Sequence, residues 1–112
     1  MEALYHLVPG PIWAAAQQVG RYAPESLDTE GFVHCSFAGQ VERTANALYK
    51  SVPDLVVVQL DPAKVGAEIR VEDSYGGGES FPHVYGPVPS DAAVAVHPVS
   101  HDPDGTVRIR FG

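Results

Sequence analysis

Three histidines lie among apolar neighbours, in segments whose composition predicts β-strands. They are His6, His34 and His83. Because side chains alternate in direction along a strand, His6 shares a face with Leu4 and Val8. A polar ring on an inward-looking face must be hydrogen-bonded or must line a cavity. The pattern therefore favours either three separate buried histidines or one common site built from all three.

Hydroxyl groups stand beside each of these histidines, at Tyr5, Ser36 and Tyr85. Ser36 shares a strand face with His34, but side chains two positions apart lie about 7 Å apart along a strand. A direct hydrogen bond between them is therefore not expected. Cys35 alternates away from His34, so we expect no catalytic cysteine–histidine pair.

Two carboxylates bracket a glycine run just before the third histidine. Glu72 and Glu79 flank Gly76–Gly78. A carboxylate beside a cleft can act as a base, or can accept two hydrogen bonds from a ribose diol. We expect Glu79 to be solvated, whereas Glu72 either takes such a role or pairs with Arg70 on the same strand face. The glycine run lacks the spacing of a phosphate-binding loop and is typical of a hairpin.

Other residue types invite weaker hypotheses. Three neutral imidazoles can hold a catalytic zinc ion, but histidines this far apart match no local ligand motif, so we predict no metal site. His97 and His101 flank Pro98 and a turn, and we expect both to be solvated. Trp13 could cover a ligand, although packing is the simpler prediction.

The elements that must position these residues read as an α+β arrangement of two early helices and about six short strands. The first helix starts at Pro11, carries an apolar stripe of Ile12, Ala16 and Val19, and ends at Gly20. Residues 21–30 read as a polar loop. The second helix spans 39–50, with Val41, Ala45, Leu48 and Tyr49 at helical spacing. The strand candidates are 3–8, 31–36, 55–60, 67–72, 81–85, 92–97 and 106–111, of which 55–60 is a continuous apolar run typical of a strand buried on both faces.

Length and charge limit the function. A chain of 112 residues with 45% hydrophobic residues predicts one domain, residues 1–112. A formal charge of −7 argues against binding a nucleic-acid backbone. One cysteine excludes an internal disulfide framework and favours a reducing compartment, so we expect a cytoplasmic protein. No apolar run is long enough for a membrane span, and no membrane partner is expected.

Two sequence blocks carry a resemblance to a known family. Residues 31–36 read Gly-Phe-Val-His-Cys-Ser, and residues 81–87 read Phe-Pro-His-Val-Tyr-Gly-Pro. With Tyr5-His6 upstream, they resemble the small bacterial proteins of domain-of-unknown-function family 952 over nearly the whole chain. Trp13, Gln40, Asn46 and Glu72 also fall where that family's pattern would put them.

The resemblance implies a fold like that of the ADP-ribosyltransferases, with two small sheets splayed around a nicotinamide-nucleotide cleft. It implies that His6 holds a ribose and that His34 or Ser36 lies near a second ribose. The late polar position falls on Glu72 or His83, and both stay open. The Glu-x-Glu signature of arginine-modifying toxins is missing, so transfer onto protein arginine is not expected.

The leading hypothesis is a small protein that binds NAD, as a substrate rather than a cofactor, or another ligand containing ADP-ribose. It would be a transferase of the ADP-ribosyl or phosphoribosyl type. His6, His34, His83 and Glu72 are the candidate catalytic residues. The candidate ligand-binding residues are Ser36, Tyr85, Trp13 and Arg70. The alternatives are a non-catalytic nucleotide-binding module and a three-histidine metal-dependent hydrolase.

Overall fold

Residues 1–111, which the computed structural model describes, form an α+β fold. The strands are β1 (Leu4–Pro9), β2 (Arg21–Tyr22), β3 (Val33–His34), β4 (Leu55–Leu60), β5 (Ile69–Glu72), β6 (Phe81–Val84), β7 (Val88–Pro89), β8 (Ala93–His101) and β9 (Val107–Ile109). The α-helices are α1 (Gly10–Val19), α2 (Ser26–Thr29), α3 (Ala38–Leu48) and α4 (Pro62–Val65), and a 3₁₀ turn spans Ser90–Ala92. No helix in this part of the chain is long and apolar enough to cross a membrane.

The strands form three antiparallel sheets rather than the two predicted. A four-stranded sheet has the order β1-β4-β8-β9, a three-stranded sheet the order β3-β6-β5, and β2 pairs with β7. The β2–β7 ribbon has only two residues on each strand, too few to show an alternation pattern in the sequence. A backbone bridge between Tyr5 and Ser36, with both N–H···O distances 2.8 Å, ties the first sheet to the segment after β3.

Two apolar clusters lie on opposite faces of the four-stranded sheet. Strand β4 contributes Val58 and Leu60 to the first and Leu55 and Val57 to the second, which confirms a strand buried on both faces. Helix α1 packs in the first cluster and α3 in the second. Because successive side chains of β4 point to opposite faces of the sheet, this apolar strand packs against both clusters and holds the two layers together.

The buried face of α1 differs from the predicted stripe. Trp13 and Ala16 are buried, whereas Ile12 and Val19 are 52% and 76% exposed. Both pairs have helical spacing, but the indole has more apolar area to remove from water, so the helix turns Trp13 inward. Trp13 therefore packs in the core, and its ring lies 5.7 Å from that of Tyr22. Gly20 ends the helix in the left-handed region at φ 95°, as predicted.

Helix α3 also differs at its end. Val41 and Ala45 are buried as predicted, but Leu48 is 73% exposed.

The side chain of Asn46 donates to the carbonyl of Val107 and accepts from its N–H, at 3.0 and 2.7 Å, and thus holds the outer edge of β9. A polar side chain that pairs with an edge strand in this way leaves no hydrophobic signal in the sequence.

Two local predictions are wrong. Residues 21–30 are not simply a polar loop, because they contain β2 and α2. His97 is not solvated but 8% exposed, with its Nε2 2.7 Å from Oε1 of Gln59. The reason is that β8 continues through Pro98 instead of ending there, and this keeps His97 on the side of the second cluster. His101 is exposed, as expected.

His6 connects all three sheets. It lies on β1 and is buried, with 7% of its surface exposed. Its Nδ1 lies 2.5 Å from the carbonyl oxygen of His34 in β3, and its Nε2 lies 2.7 Å from the hydroxyl of Tyr22 in β2. A carbonyl can only accept, so Nδ1 carries the proton and Nε2 accepts from Tyr22. One imidazole therefore fixes the relative positions of three strands.

Burial keeps this imidazole neutral. Desolvation of the charged ring lowers the pKa of His6 from its ordinary value of 6.5 to about 4, against the opposing effect of its hydrogen bond to the His34 carbonyl. Between these two pH values the unfolded chain takes up a proton that the folded chain does not. The contribution of His6 to folding is therefore complete above pH 6.5 and is lost as the pH falls to 4.

We predict that acidification from pH 6.5 to 4 removes about 3 kcal/mol of the free energy of unfolding through His6 alone.

The His6→Gln variant should have a free energy of unfolding lower by about 2 kcal/mol at pH 7, because the substitution disturbs two buried hydrogen bonds. It should also show a shallower pH dependence. Urea unfolding, followed by the fluorescence of Trp13, measures both. His101→Gln is the control and should keep the wild-type slope, and a wild-type slope in His6→Gln would contradict the prediction.

We also predict that the thiol of Cys35 is inert in the folded protein. It is 4% exposed, and burial raises its pKa to about 12. Near pH 8 the thiolate fraction is then on the order of a thousandfold lower than in an exposed cysteine. Reaction with a chromogenic disulfide reagent should be slow in buffer and fast in denaturant. Rapid reaction in buffer at the rate of free glutathione is the contrary result.

Candidate functional site

His34 and His83 lie opposite each other on adjacent antiparallel strands. They are register partners of β3 and β6, and their ring centroids are 5.5 Å apart. The ring of Phe32 stacks on His83 at 3.9 Å and meets His34 edge-on at 4.8 Å. The two imidazoles thus share one aromatic support, which fixes their orientation.

The strand faces that carry His34 and His83 border a cavity, one of the two arrangements expected for a histidine among apolar neighbours. The residues that alternate with the histidines, Val33, Cys35 and Val84, form the apolar core. The face that carries His34 and His83 borders a cleft instead. Sequence parity groups the residues of each strand correctly, but apolar flanks alone do not show which face is turned to the core.

A carboxylate orients His83. Its Nδ1 lies 3.0 Å from Oε1 of Glu72 and 3.3 Å from the hydroxyl of Ser74. The hydroxyl of Tyr85 donates to the same Oε1. These hydrogen bonds, first from Tyr85 and then from His83, lower the pKa of Glu72, so the carboxylate is ionised near neutral pH. When His83 is neutral its Nδ1–H donates to Glu72, and Nε2 is left as a hydrogen-bond acceptor.

A second carboxylate binds His34. Oε2 of Glu30 lies 2.7 Å from Nε2 of His34, and the hydroxyl of Tyr75 donates to Oε1 of Glu30 at 2.6 Å. The hydrogen bonds from Tyr75 and His34 lower the pKa of Glu30. Sequence reasoning missed both Glu30 and Tyr75. Glu30 lies four positions before His34, in the polar segment that the sequence predicts as a loop. Tyr75 lies in the hairpin between β5 and β6.

These groups border a cleft of about 640 Å³. Its lining is mostly aromatic and apolar and comes from β1, β3, α3 and the β5–β6 hairpin. The lining residues are Tyr5, Leu7, His34, Cys35, Ser36, Arg43, Thr44, Ala47, Leu48, Tyr49, Tyr75, Glu79, Phe81 and His83. A smaller pocket of about 150 Å³ adjoins it and shares Tyr75, Glu79, Phe81 and His83, with Glu72, Asp73, Ser74 and Gly77 completing its walls. The exposed side chain of Leu48 is thus part of the cleft wall.

The hairpin loop 73–80 forms the rim of this cleft. Within the loop, the carboxylate of Asp73 accepts from the N–H groups of Gly77 and Gly78 at 3.0 and 2.8 Å. At its far end Glu79 is partly exposed, and it also accepts hydrogen bonds from Gln40 at 3.1 Å and from Arg43, two contacts that the sequence did not predict. Helix α3 therefore holds one end of the loop.

The structure brings together some of the predicted site residues and leaves others apart. His34, Ser36 and His83 line the main cleft, and Glu72 lines the smaller pocket. The hydroxyl of Tyr85 donates to Glu72, and the guanidinium of Arg70 lies 4.2 Å from the centroid of the Tyr85 ring. Arg70 forms its ion pair with Glu68 at 2.9 Å rather than with Glu72.

His6 and Trp13 lie away from the cleft lining. Both ring nitrogens of His6 have protein partners, and Trp13 is packed beside Tyr22. Within residues 1–111, no three His, Cys, Asp or Glu side chains are arranged to hold a metal ion. The three histidines therefore do not converge on one point, although the backbone of His34 is bonded to the ring of His6.

Comparison with known proteins identifies relatives by fold. The chain is similar to a crystal structure of protein CC0527 from Caulobacter crescentus, with a TM-score of 0.84 and 26% identity over 96% of this chain and 94% of that chain. It is also similar to the solution NMR structure of CC0527, with a TM-score of 0.74 and 25% identity over 94% and 90% of the two chains. No curated protein sequence matches this chain.

A family model covers both histidine strands and both Glu–His pairs. It is described as protein of unknown function (DUF952) and matches residues 7–96, which include the cleft residues from Leu7 to His83. The chain belongs to this family, as its two sequence blocks predicted.

Proposed function

We propose that the cleft binds NAD or another ligand containing ADP-ribose, and that the chain transfers the ribosyl group in a reaction of the ADP-ribosyltransferase type. The observation that carries this proposal is the Glu72–His83 pair at the junction of the two pockets. It places an ionised carboxylate and an imidazole acceptor beside an aromatic cleft large enough for a nucleotide. An ADP-ribosyltransferase-like arrangement of splayed sheets and a cytoplasmic location, favoured by the free thiol of Cys35, are parts of the same proposal.

In the proposed reaction the Glu72–His83 pair assists cleavage of the bond between ribose and nicotinamide. In NAD the bond from ribose C1′ to the cationic nicotinamide ring breaks with its electron pair going to the ring nitrogen. Neutral nicotinamide leaves, and positive charge develops at C1′. The carboxylate of Glu72 stabilises that charge, and its hydrogen bonds to Tyr85 and His83 keep it in place. An acceptor hydroxyl or amine then bonds to C1′, and its proton passes to Nε2 of His83.

Other cleft residues would position the ligand. Aromatic rings line the cleft at Tyr5, Tyr49, Tyr75 and Phe81, and can stack on a nicotinamide or adenine ring. Ser36 and His34 offer hydrogen bonds to ribose hydroxyls. His6 has no such role here, because Tyr22 and the His34 carbonyl already occupy its nitrogens. Its contribution is to hold β3, and thereby His34, in place.

We predict that NAD, ADP-ribose and nicotinamide shift the amide signals of cleft residues in a two-dimensional NMR titration. The shifts should cluster on residues 34–36, on the rim loop 73–80 and on residues 81–84, because these segments border the cleft. Residues 101–106 lie outside the lining and serve as internal controls. Absence of any shift at millimolar ligand would reject the proposed function.

We further predict that Glu72→Gln and His83→Gln each slow nicotinamide release from NAD by about a hundredfold or more, since each removes one acid–base or electrostatic group. The matched controls are Glu2→Gln and His101→Gln, both on exposed side chains, and these should release nicotinamide at the wild-type rate. Release is quantified by chromatography over hours. Ligand binding without release by wild type would instead favour the non-catalytic nucleotide-binding module.

A further inference from the structure

We propose that the part of the cleft beside Glu72 and His83, where a ligand ring would bind, selects an aromatic ring carrying a quaternary nitrogen over a neutral or anionic ring of the same shape. This preference rests on the proposed function only in taking the cleft as the ligand site. It adds a charge specificity that the Glu72–His83 chemistry alone does not require.

The charges around the cleft are predominantly negative. Carboxylates of Glu72, Asp73 and Glu79 line the two pockets, and that of Glu30 is bonded to Tyr75 on the rim. Among the lining residues within the described chain, Arg43 is the one lysine or arginine. Its guanidinium is paired with Glu79, so it offers little free positive charge to an anionic ring.

The cleft walls supply the second element of a cation site. Tyr5, Tyr49, Tyr75 and Phe81 present aromatic rings, whose faces attract a cation through the ring quadrupole. Carboxylates beside aromatic walls attract a cation and repel an anion of the same shape. Apolar neighbours such as Leu48 and Ala47 complete this wall.

The side chain of His83 points to a ligand independently of these charges. It is 2% exposed and lines both pockets, and its hydrogen bonds to Glu72 and Ser74 are made by Nδ1, which leaves Nε2 for a ligand. With Nδ1 donating to Glu72, Nε2 accepts a hydrogen bond from a ligand N–H or O–H. A cationic ring that carries an amide satisfies all three features of the cleft.

The test compares three probes that differ in charge on one ring. Ring-N-methylated nicotinamide is a cation, nicotinamide is neutral, and nicotinate is an anion. NMR titration gives a dissociation constant for each. We expect the cation to bind about tenfold more tightly than nicotinamide, and nicotinate to bind more weakly than either. Equal affinity for cation and anion, or no binding by any probe, would overturn the proposal.

Two substitutions in the Arg43–Glu79 pair should move the selectivity in opposite directions. Glu79→Gln removes a carboxylate and frees Arg43, so the ratio of cation to anion affinity should fall by threefold or more. Arg43→Gln frees Glu79, and the ratio should rise. Both side chains are partly exposed, at 62% for Arg43 and 42% for Glu79, so neither change threatens the fold.

The matched control is the remote ion pair between Arg108 and Asp102, whose N···O distance is 3.0 Å. Its side chains are 56% and 39% exposed and lie outside the cleft lining. Asp102→Asn and Arg108→Gln change the net charge as the cleft variants do, and should leave the selectivity at the wild-type value. An equal effect of Asp102→Asn and Glu79→Gln would overturn the proposal, because overall charge would then explain the preference.

The result of this test can be distinguished from the result of the test of the proposed function. If wild type prefers the cationic probe and NAD is not consumed, the charge selectivity stands and the transferase proposal fails. If NAD is consumed and the three probes bind equally, the transferase proposal stands and the charge selectivity fails.

Discussion

The imidazole of His6 is the constraint on which the arrangement of sheets depends. It accepts a hydrogen bond from Tyr22 of β2 and donates one to the carbonyl of His34 in β3, while its own strand is held by β4. An apolar residue at this position would leave two buried polar groups without partners, which costs about 1–3 kcal/mol for each group. A charged imidazole would be penalised by desolvation. The fold thus requires a neutral histidine with one defined tautomer at the point where three sheets meet.

That constraint extends to the cleft because His34 is held through its backbone. His6 fixes the carbonyl of His34, and the side chain of His34 lies beside that of its register partner His83. Phe32 then supports both rings, and Glu72 and Glu30 each bind one of them. Two imidazoles with separate carboxylate partners are therefore placed side by side before any ligand arrives.

Sequence patterns identified individual elements better than the contacts between them. The apolar run of β4 and the alternation in β1 are local signals, and both strands form as predicted. The register that pairs His34 with His83 depends on which strands meet, and a single sequence carries no direct record of that. Polar groups in loops were hardest to place. Glu79 lacked any hydrophobic signal, and its role became visible only through its contact with Arg43 of α3.

The residues that line the cleft are held in two ways: some by packing in the core, and those of the rim by a few exposed polar contacts. Tyr5, Leu7 and Tyr49 belong both to the cleft lining and to the second apolar cluster, so their positions are fixed by core packing. The rim residues Tyr75 and Glu79 are held instead by exposed hydrogen bonds and an ion pair. Contacts of the second kind are worth little in water and open at low cost in free energy. The contacts of the 73–80 loop therefore open at a lower cost in free energy than those of the sheets. Glu72 and His83 lie on β5 and β6, directly beside the loop, and strand pairing rather than loop contacts holds their backbones.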